Sequence, residues 1–348
     1  MKAAVLTGPR SVKVHEVPEP PVPEDGLLVR VMACGVCGSD VRRWKEGPPE
    51  GVEGIVPGHE VAGVVKAVGP DCEGWSVDDR LALAPDVHCG RCWYCRRGLF
   101  NLCDDLRLVG ITPGYPGGLA ELMPVPGEVL TNGIVHHMPE GIGFAAAGLA
   151  EPASSVLACH EAAGTGPRDT VLVVGAGPIG CLHVAVAEAR GARTVVSQRS
   201  NPRRELARAL GPDAVINPLE EDVVERVREL TGGRGADLAV CANPSPGCPA
   251  TGVRAVRKGG RVVLFGGLAR DEHTVRLDGN AVHYGEVEVV GSFSYHPTMH
   301  ALALDMIHRG LIPADKLITD TFSLEQAPEA FETAAAGRGL KVMVSTAE

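Results

Sequence analysis

A chain of 348 residues is longer than one typical core and predicts two domains, and 45% hydrophobic with 22% charged residues excludes a disordered chain. Its net charge of −10 repels phosphate backbones and anionic membranes, which excludes nucleic-acid and membrane partners and leaves a small molecule as the expected one. No apolar run nears the roughly 20 residues of a membrane span, Ala3-Ala4-Val5-Leu6 is too short for a leader core, and eleven cysteines, several two residues apart, suit metal binding in a reducing cytoplasm better than disulfides.

Residues 1–150 carry short apolar runs, such as 27–32 and 61–68, separated by Gly and Pro, a pattern that predicts a mostly β domain. The prolines of 18–23 form a stiff bend. From 169 onward, apolar strands at 171–174, 194–196, 238–240 and 261–265 alternate with helical segments, which implies a parallel sheet. Ile179, Leu182 and Val186, then Val223, Val227 and Leu230, recur at helical spacing and predict the faces that cover it. After residue 294 come helical stretches at 299–309 and 324–336 and a strand at 341–344, a tail placed to rejoin the first domain. The predicted division is 1–154 completed by 297–348, with 155–296 inserted.

Three motifs carry chemistry. Cys89, Cys92, Cys95 and Cys103 fall within fifteen residues. Four thiolates fill a tetrahedral zinc and leave no open position, which makes the site structural, and the spacing does not fit an iron–sulfur cluster. A dispersed set, Cys37-Gly38-Ser39-Asp40, Gly58-His59-Glu60 and Glu151-Pro152, offers one thiol, one imidazole and carboxylates. Three such ligands hold zinc with a place left for substrate. Taken singly, the His is an ordinary turn residue and the Glu-Pro an ordinary helix start. Finally, Gly175-Ala176-Gly177-Pro178-Ile179-Gly180 follows an apolar strand and opens a helix. There Gly175 makes the tight turn, Gly177 admits the pyrophosphate and Gly180 allows close helix packing, the pattern of a dinucleotide site.

Together these residues resemble the zinc-containing medium-chain dehydrogenases, and among them the sorbitol and polyol branch. The likeness runs the length of the chain, from Cys34-Gly35-Val36-Cys37-Gly38-Ser39-Asp40 through Pro57-Gly58-His59-Glu60, Asp79-Arg80 and the four cysteines. It continues through Glu151-Pro152, the glycine motif, Phe293 and Tyr295 to Phe331-Glu332-Thr333 and Gly339-Leu340-Lys341. The resemblance implies an α/β fold: a GroES-like β catalytic domain with an inserted Rossmann domain, a doubly wound parallel sheet. It also implies a homotetramer or homodimer with a subunit contact around 287–293. Cys37, His59 and either Glu60 or Glu151 would hold a catalytic zinc, and Cys89, Cys92, Cys95 and Cys103 a structural one, two zincs per subunit. Cys34 matches a position that is not a ligand. Ser39 would relay the proton of the substrate hydroxyl, and Tyr295 would touch substrate hydroxyls.

Two positions depart from the branch. Arg42 stands where many relatives have a proton-relaying His, and Ser294 stands before Tyr295 where an Arg is common. Sorbitol itself is therefore not fixed as substrate. The expected reaction is hydride transfer between a small alcohol, polyol or sugar and a nicotinamide cofactor. A threonine-type amino-alcohol or glucose-type sugar dehydrogenase on the same scaffold, or a non-catalytic dinucleotide-binding protein, are the alternatives. NAD binders place an acid about 20 residues past the glycine motif. Here Gln198 occupies that place, followed by Arg199 and Ser200 with Arg203 or Arg204 near, a set that suits the 2′-phosphate of NADP and makes NAD the alternative cofactor.

Overall fold

The computed structural model describes residues 1–269 and 272–346. The chain forms two compact units. One comprises Met1–Ser154, Tyr295–Gly310 and the chain from Ile318 on; the other comprises Ser155–Ser294 and Leu311–Leu317. Among the described residues no helix is long and apolar enough to cross a membrane.

The first unit is built on a seven-stranded sheet around the strand Leu27–Val36. That strand is buried along almost its whole length and is paired on both edges. Glu60–Val68 pairs with one edge; Leu122–Val125 and Lys341–Ser345 share the other. Arg30 is its one exposed residue. Leu6, Leu27, Leu81, Leu119 and Phe331 fill the core beside the sheet, each contributing about 1.5–3 kcal/mol by leaving water. Phe331, on the helix Ala327–Ala336, meets Trp44 on the helix Gly38–Glu46 at 6.4 Å between ring centroids. The tail thus packs into the first unit's core. At Gly58 the backbone has φ +98°, and a Cβ there would lie 2.6 Å from Cys34 Sγ. Only glycine makes this turn into His59.

The second unit carries a six-stranded sheet whose pairings are all parallel. Numbered along the chain, its strands run 3-2-1-4-5-6: Ala214–Ile216, Arg193–Ser197, Thr170–Val174, Ala236–Cys241, Val256–Leu264 and Glu288–Gly291. This is the doubly wound order that binds nucleotides beyond the strand ends on either side of strand 1. Leu172, Val195, Ile216, Val227 and Val262 lie in its core. The helix Val223–Leu230 begins at Asp222, whose carboxylate accepts the Val224 and Glu225 N–H groups. The strand expected at 261–265 starts earlier, at Val256, and ends before Phe265. Its pairing jumps from Ala236↔Val256 to Leu238↔Arg261, so the Gly259-Gly260 segment bulges and hides the strand's first half from a reading of apolar runs.

Candidate metal and cofactor sites

Three strand ends build the first site. Cys37 follows Leu27–Val36; Glu60, with His59 before it, opens the antiparallel neighbour in register with Gly35; Lys341 opens the strand on the opposite edge, where Val342 faces Val36. Sheet pairing therefore gathers side chains some 300 positions apart in sequence. Ligand atoms of Cys37, His59 and Glu60 lie within 4.8 Å of one another. His59 and Glu60 are buried, and Cys37 is half-buried.

Around this trio the polar groups are arranged in pairs. Asp40, buried at the start of the helix Gly38–Glu46, accepts the Cys37 N–H at 2.9 Å with Oδ2, and its Oδ1 stands 3.3 Å from His59 Nδ1. Burial pushes the Asp40 carboxyl up, but His59 and the Cys37 N–H outweigh it and hold the group below its ordinary range. With Nδ1 facing a carboxylate, Nε2 is the nitrogen left to ligate. The Ser39 hydroxyl lies 3.3 Å from that Nε2. Lys341, also buried, donates to Val36 O at 3.1 Å and to the Glu60 carboxylate. Burial opposes its charge, yet Glu60 keeps its pKa raised.

Glu151 sits in the first turn of the helix Ala150–Ala163, outside the group formed by Cys37, His59 and Glu60. Its Oε1 accepts the Tyr295 hydroxyl at 2.9 Å, and burial pushes its carboxyl up to about 7. Glu151-Pro152 is thus a helix start that also carries a buried acid. Arg42 is exposed on the helix Gly38–Glu46. The donor set of one thiol, one imidazole and one carboxylate fits zinc with a free position.

The second site is the lobe of Cys89, Cys92, Cys95 and Cys103, whose sulfurs lie within 4.8 Å of one another. Cys92 and Cys103 are 4.0 Å apart. A tetrahedron of Zn–S bonds of about 2.3 Å has edges of about 3.8 Å. Backbone N–H groups point at the sulfurs, from Cys89 and Asp105 to Cys103 at 3.2 and 3.4 Å and from Cys95 to Cys92 at 3.4 Å. Such donors favour thiolate, and with the Cys95 N–H foremost they bring Cys92 down to about 6, while burial pushes Cys95 up to about 12. Four sulfurs this close fit a closed zinc site. Cys34 lies elsewhere, fully buried beside Gly58.

In the second unit, Gly175 turns the chain with φ +107°, and a Cβ on Gly180 would fall 1.8 Å from Gly175 O. Gly177 is the N-cap of the helix Pro178–Ala189, with Pro178 and Ile179 its first residues. Gln198 Oε1 accepts the Ala176 N–H at 3.1 Å and so ties the end of the second strand to the glycine turn. Beyond the turn opens a pocket of about 600 Å³ lined by Gln198, Arg199, Arg203, Asn243 and Ser245. Ser200 is the N-cap of the helix Asn201–Arg208. Arg204 is occupied locally, donating to Gln198 O at 3.2 Å and Asn201 Oδ1 at 2.9 Å. Arg199 and Arg203 are the cations that face the pocket.

Sequence reasoning assigned no role to Asp40 or Lys341. Asp40 was visible only as the neighbour of Ser39, and Lys341 only as part of Gly339-Leu340-Lys341. Their partners are set by strand register, which local spacing does not reveal.

Comparison with known proteins agrees with this geometry. Residues 23–140 match the family model for an alcohol dehydrogenase GroES-like domain, and residues 178–309 that for a zinc-binding dehydrogenase. Sorbitol dehydrogenase of Bacillus subtilis is 33% identical over 352 residues, covering 99% of this chain and 97% of its own. D-xylulose reductase A of Aspergillus oryzae is 32% identical over 350 residues, covering 98% and 95%. A candidate zinc-binding dehydrogenase from Sinorhizobium meliloti, solved bound to NADP, is 31% identical, covers 99% of this chain and 98% of its own, and superposes with a TM-score of 0.90.

Proposed function

This chain belongs to the zinc-dependent medium-chain dehydrogenases, and from that premise we propose that it interconverts a small polyol and its ketone with NADP(H) as hydride carrier. The observation that carries the reading is the buried convergence of Cys37, His59 and Glu60, with the Ser39 hydroxyl at its edge and Asp40 behind the imidazole. The relatives named for sorbitol and D-xylulose support a polyol as substrate.

Zinc bound to the trio supplies Lewis acidity toward a substrate oxygen, and bound nicotinamide supplies the hydride exchange. The protein's own groups do the rest. Asp40 fixes the His59 tautomer. Lys341 balances the Glu60 charge in a buried setting. Ser39 Oγ receives the hydroxyl proton and passes it outward. Tyr295 and Glu151 form a donor–acceptor pair suited to orient a second hydroxyl of a polyol. A second zinc in the four-thiol lobe is structural.

The NADP preference rests on Gln198 and Arg199. Gln198 carries no charge to repel a 2′-phosphate, and Arg199 lines the same pocket with a guanidinium able to grip it. A panel of polyols, sugars, amino alcohols and simple alcohols, run with both cofactors, tests the whole reading. Turnover of polyols with higher kcat/KM for NADP than NAD is expected. Arg199→Ala should lower that preference about tenfold or more, the typical scale of a lost charge-assisted contact. A wild type that prefers NAD, or an Arg199→Ala variant that keeps full NADP preference, overturns the cofactor assignment. Assembly into a dimer or tetramer is proposed through the sheet-edge strand Glu288–Gly291, in which Val290 is exposed and after which Phe293 is exposed. Light scattering measures it directly.

A further inference from the structure

Tyr295 enters the candidate site by an unusual route. It lies outside any strand or helix, at the point where the chain leaves the second unit and re-enters the first. Ser294, just before it, has φ +53°, a left-handed conformation that a non-glycine residue adopts only when its surroundings impose it. On one side of this turn the Tyr295 hydroxyl donates to Glu151 at 2.9 Å. On the other, the next residue, His296, meets Phe100 of the four-thiol lobe.

That second contact is built from both ends. Phe100 stands three residues before Cys103 in a short 3-10 turn. Its ring stacks on His88 at 4.1 Å with 12° between planes, and meets His296 at 5.1 Å and 38°. Each imidazole is anchored by a backbone N–H on its Nδ1: Gly90, inside the cysteine loop, for His88 at 3.1 Å, and Thr298, opening the helix Thr298–His308, for His296 at 3.3 Å. The Thr298 hydroxyl holds His296 Nδ1 as well, at 2.9 Å. Phe100 therefore bridges two fixed rings, one belonging to the lobe and one following Tyr295.

We propose that Phe100 is a positioning residue that couples the four-thiol lobe to Tyr295, so that the lobe, besides holding a metal, sets the Tyr295–Glu151 pair for substrate. The inference rests on the reading that this pair belongs to the substrate site. The trio of zinc ligands hangs on paired strands and does not depend on this contact. Loss of the bridge accordingly moves the substrate-orienting groups and spares the ligands, the cofactor pocket and the proton relay.

The test is a double-mutant cycle on the intact holoenzyme with Phe100→Ala, His296→Ala and the pair, assayed with the polyol turned over fastest in the panel above. Each single change is expected to raise KM about tenfold with a smaller change in kcat, since small misplacements of orienting groups cost factors of this size. The double variant is expected to match the worse single one, because both remove the same contact. Phe100→Tyr, which keeps a stacking ring, should restore KM to within about twofold, with zinc content and NADPH affinity unchanged throughout. Additive effects, or wild-type KM in His296→Ala, overturn the proposal. The latter decides the case even if Phe100→Ala loses the lobe's metal, because His296 lies outside the lobe. Tyr295→Phe separates the two readings. If it raises KM while the cycle is additive, only the coupling fails; if it leaves KM unchanged, the placement of the pair in the substrate site fails with it.

Discussion

Replacing Asp40 by Asn changes one atom and almost no volume, yet it reverses the instruction given to His59. The carboxylate now accepts the Cys37 N–H at 2.9 Å with one oxygen and faces His59 Nδ1 as a charge partner at 3.3 Å with the other. An amide has one accepting oxygen. If that oxygen keeps the Cys37 N–H, the NH₂ turns toward His59 Nδ1 and forces the proton onto Nε2, the nitrogen needed by the metal. A metal-bound imidazole that tightens onto this carboxylate gains a hydrogen bond to a charged group, which contributes about 1.5–3 kcal/mol and is lost in the amide. At about 1.4 kcal/mol per tenfold, that is a loss of about 10- to 150-fold in zinc affinity. The range agrees with the roughly 10- to 100-fold that partners of metal-bound histidines usually contribute. Burial gives water little room to repair the defect, since Asp40 is only 2% exposed. Zinc titration against a competing chelator provides the assay, with the four-thiol site of the same molecule as internal reference. One site should weaken by this factor while the other keeps its affinity. Two sites of unchanged affinity in Asp40→Asn would refute the assignment of His59 Nε2 as the ligand atom.

Ser39→Ala should lower turnover by about 10²- to 10⁴-fold, the usual range for a proton relay, with both zincs retained; a wild-type rate across the pH range would remove Ser39 from the relay. Cys37→Ser should abolish turnover and keep one zinc and the fold, whereas Cys92→Ser should lose the other zinc and lower Tm; metal analysis finding one zinc in the intact wild type would refute the two-site reading. Acid should weaken the second unit through His160, a buried imidazole that meets His183 Nδ1 at 3.0 Å and is brought by burial from 6.5 down to about 4. The folded form resists protonation, so this stability is whole above about pH 6.5 and is lost as pH falls toward 4, about 3.5 kcal/mol in all at about 1.4 kcal/mol per unit. Urea unfolding between pH 7.5 and 4.5 should show a flatter profile for His160→Gln; equal slopes would refute the assignment.

Features that depend on neighbours in sequence were the legible ones. The four cysteines announce their lobe because all lie on one loop, and the glycine motif announces its turn because φ at Gly175 and the crowding at Gly180 are local demands. The helices at 299–309 and 324–336 show in their periodicity, though the second begins as a 3-10 turn over Leu324–Gln326. What depends on register was hidden. Nothing near Lys341 says that it faces Glu60, because the pairing of Val342 with Val36 is decided by the whole sheet. The three-residue strand Ala214–Ile216 is too short to give a pattern, and the first half of Val256–Leu264 is masked by its glycines. The choice between Glu60 and Glu151 could not be read from spacing either, since both are acids near the same ligands. In the fold Glu60 lies with Cys37 and His59, while Glu151 accepts the Tyr295 hydroxyl.

The convergence of strand ends also orders events in time. A lobe confined to residues 89–103 has all four sulfurs as soon as that loop has been synthesised, and it can take up metal while most of the chain is still to come. The trio behind the chemistry has its ligands by residue 60, but the ammonium that balances Glu60 arrives with the closing strand Lys341–Ser345. Until then Glu60 has no buried counter-charge and the central strand lacks a neighbour along that edge. Domains fold as the chain emerges, from the N-terminus on, so the four-thiol loop is complete long before the full setting of Cys37, His59 and Glu60 is. The four-thiol loop can therefore close on itself well before the strand that supplies Lys341 has been made.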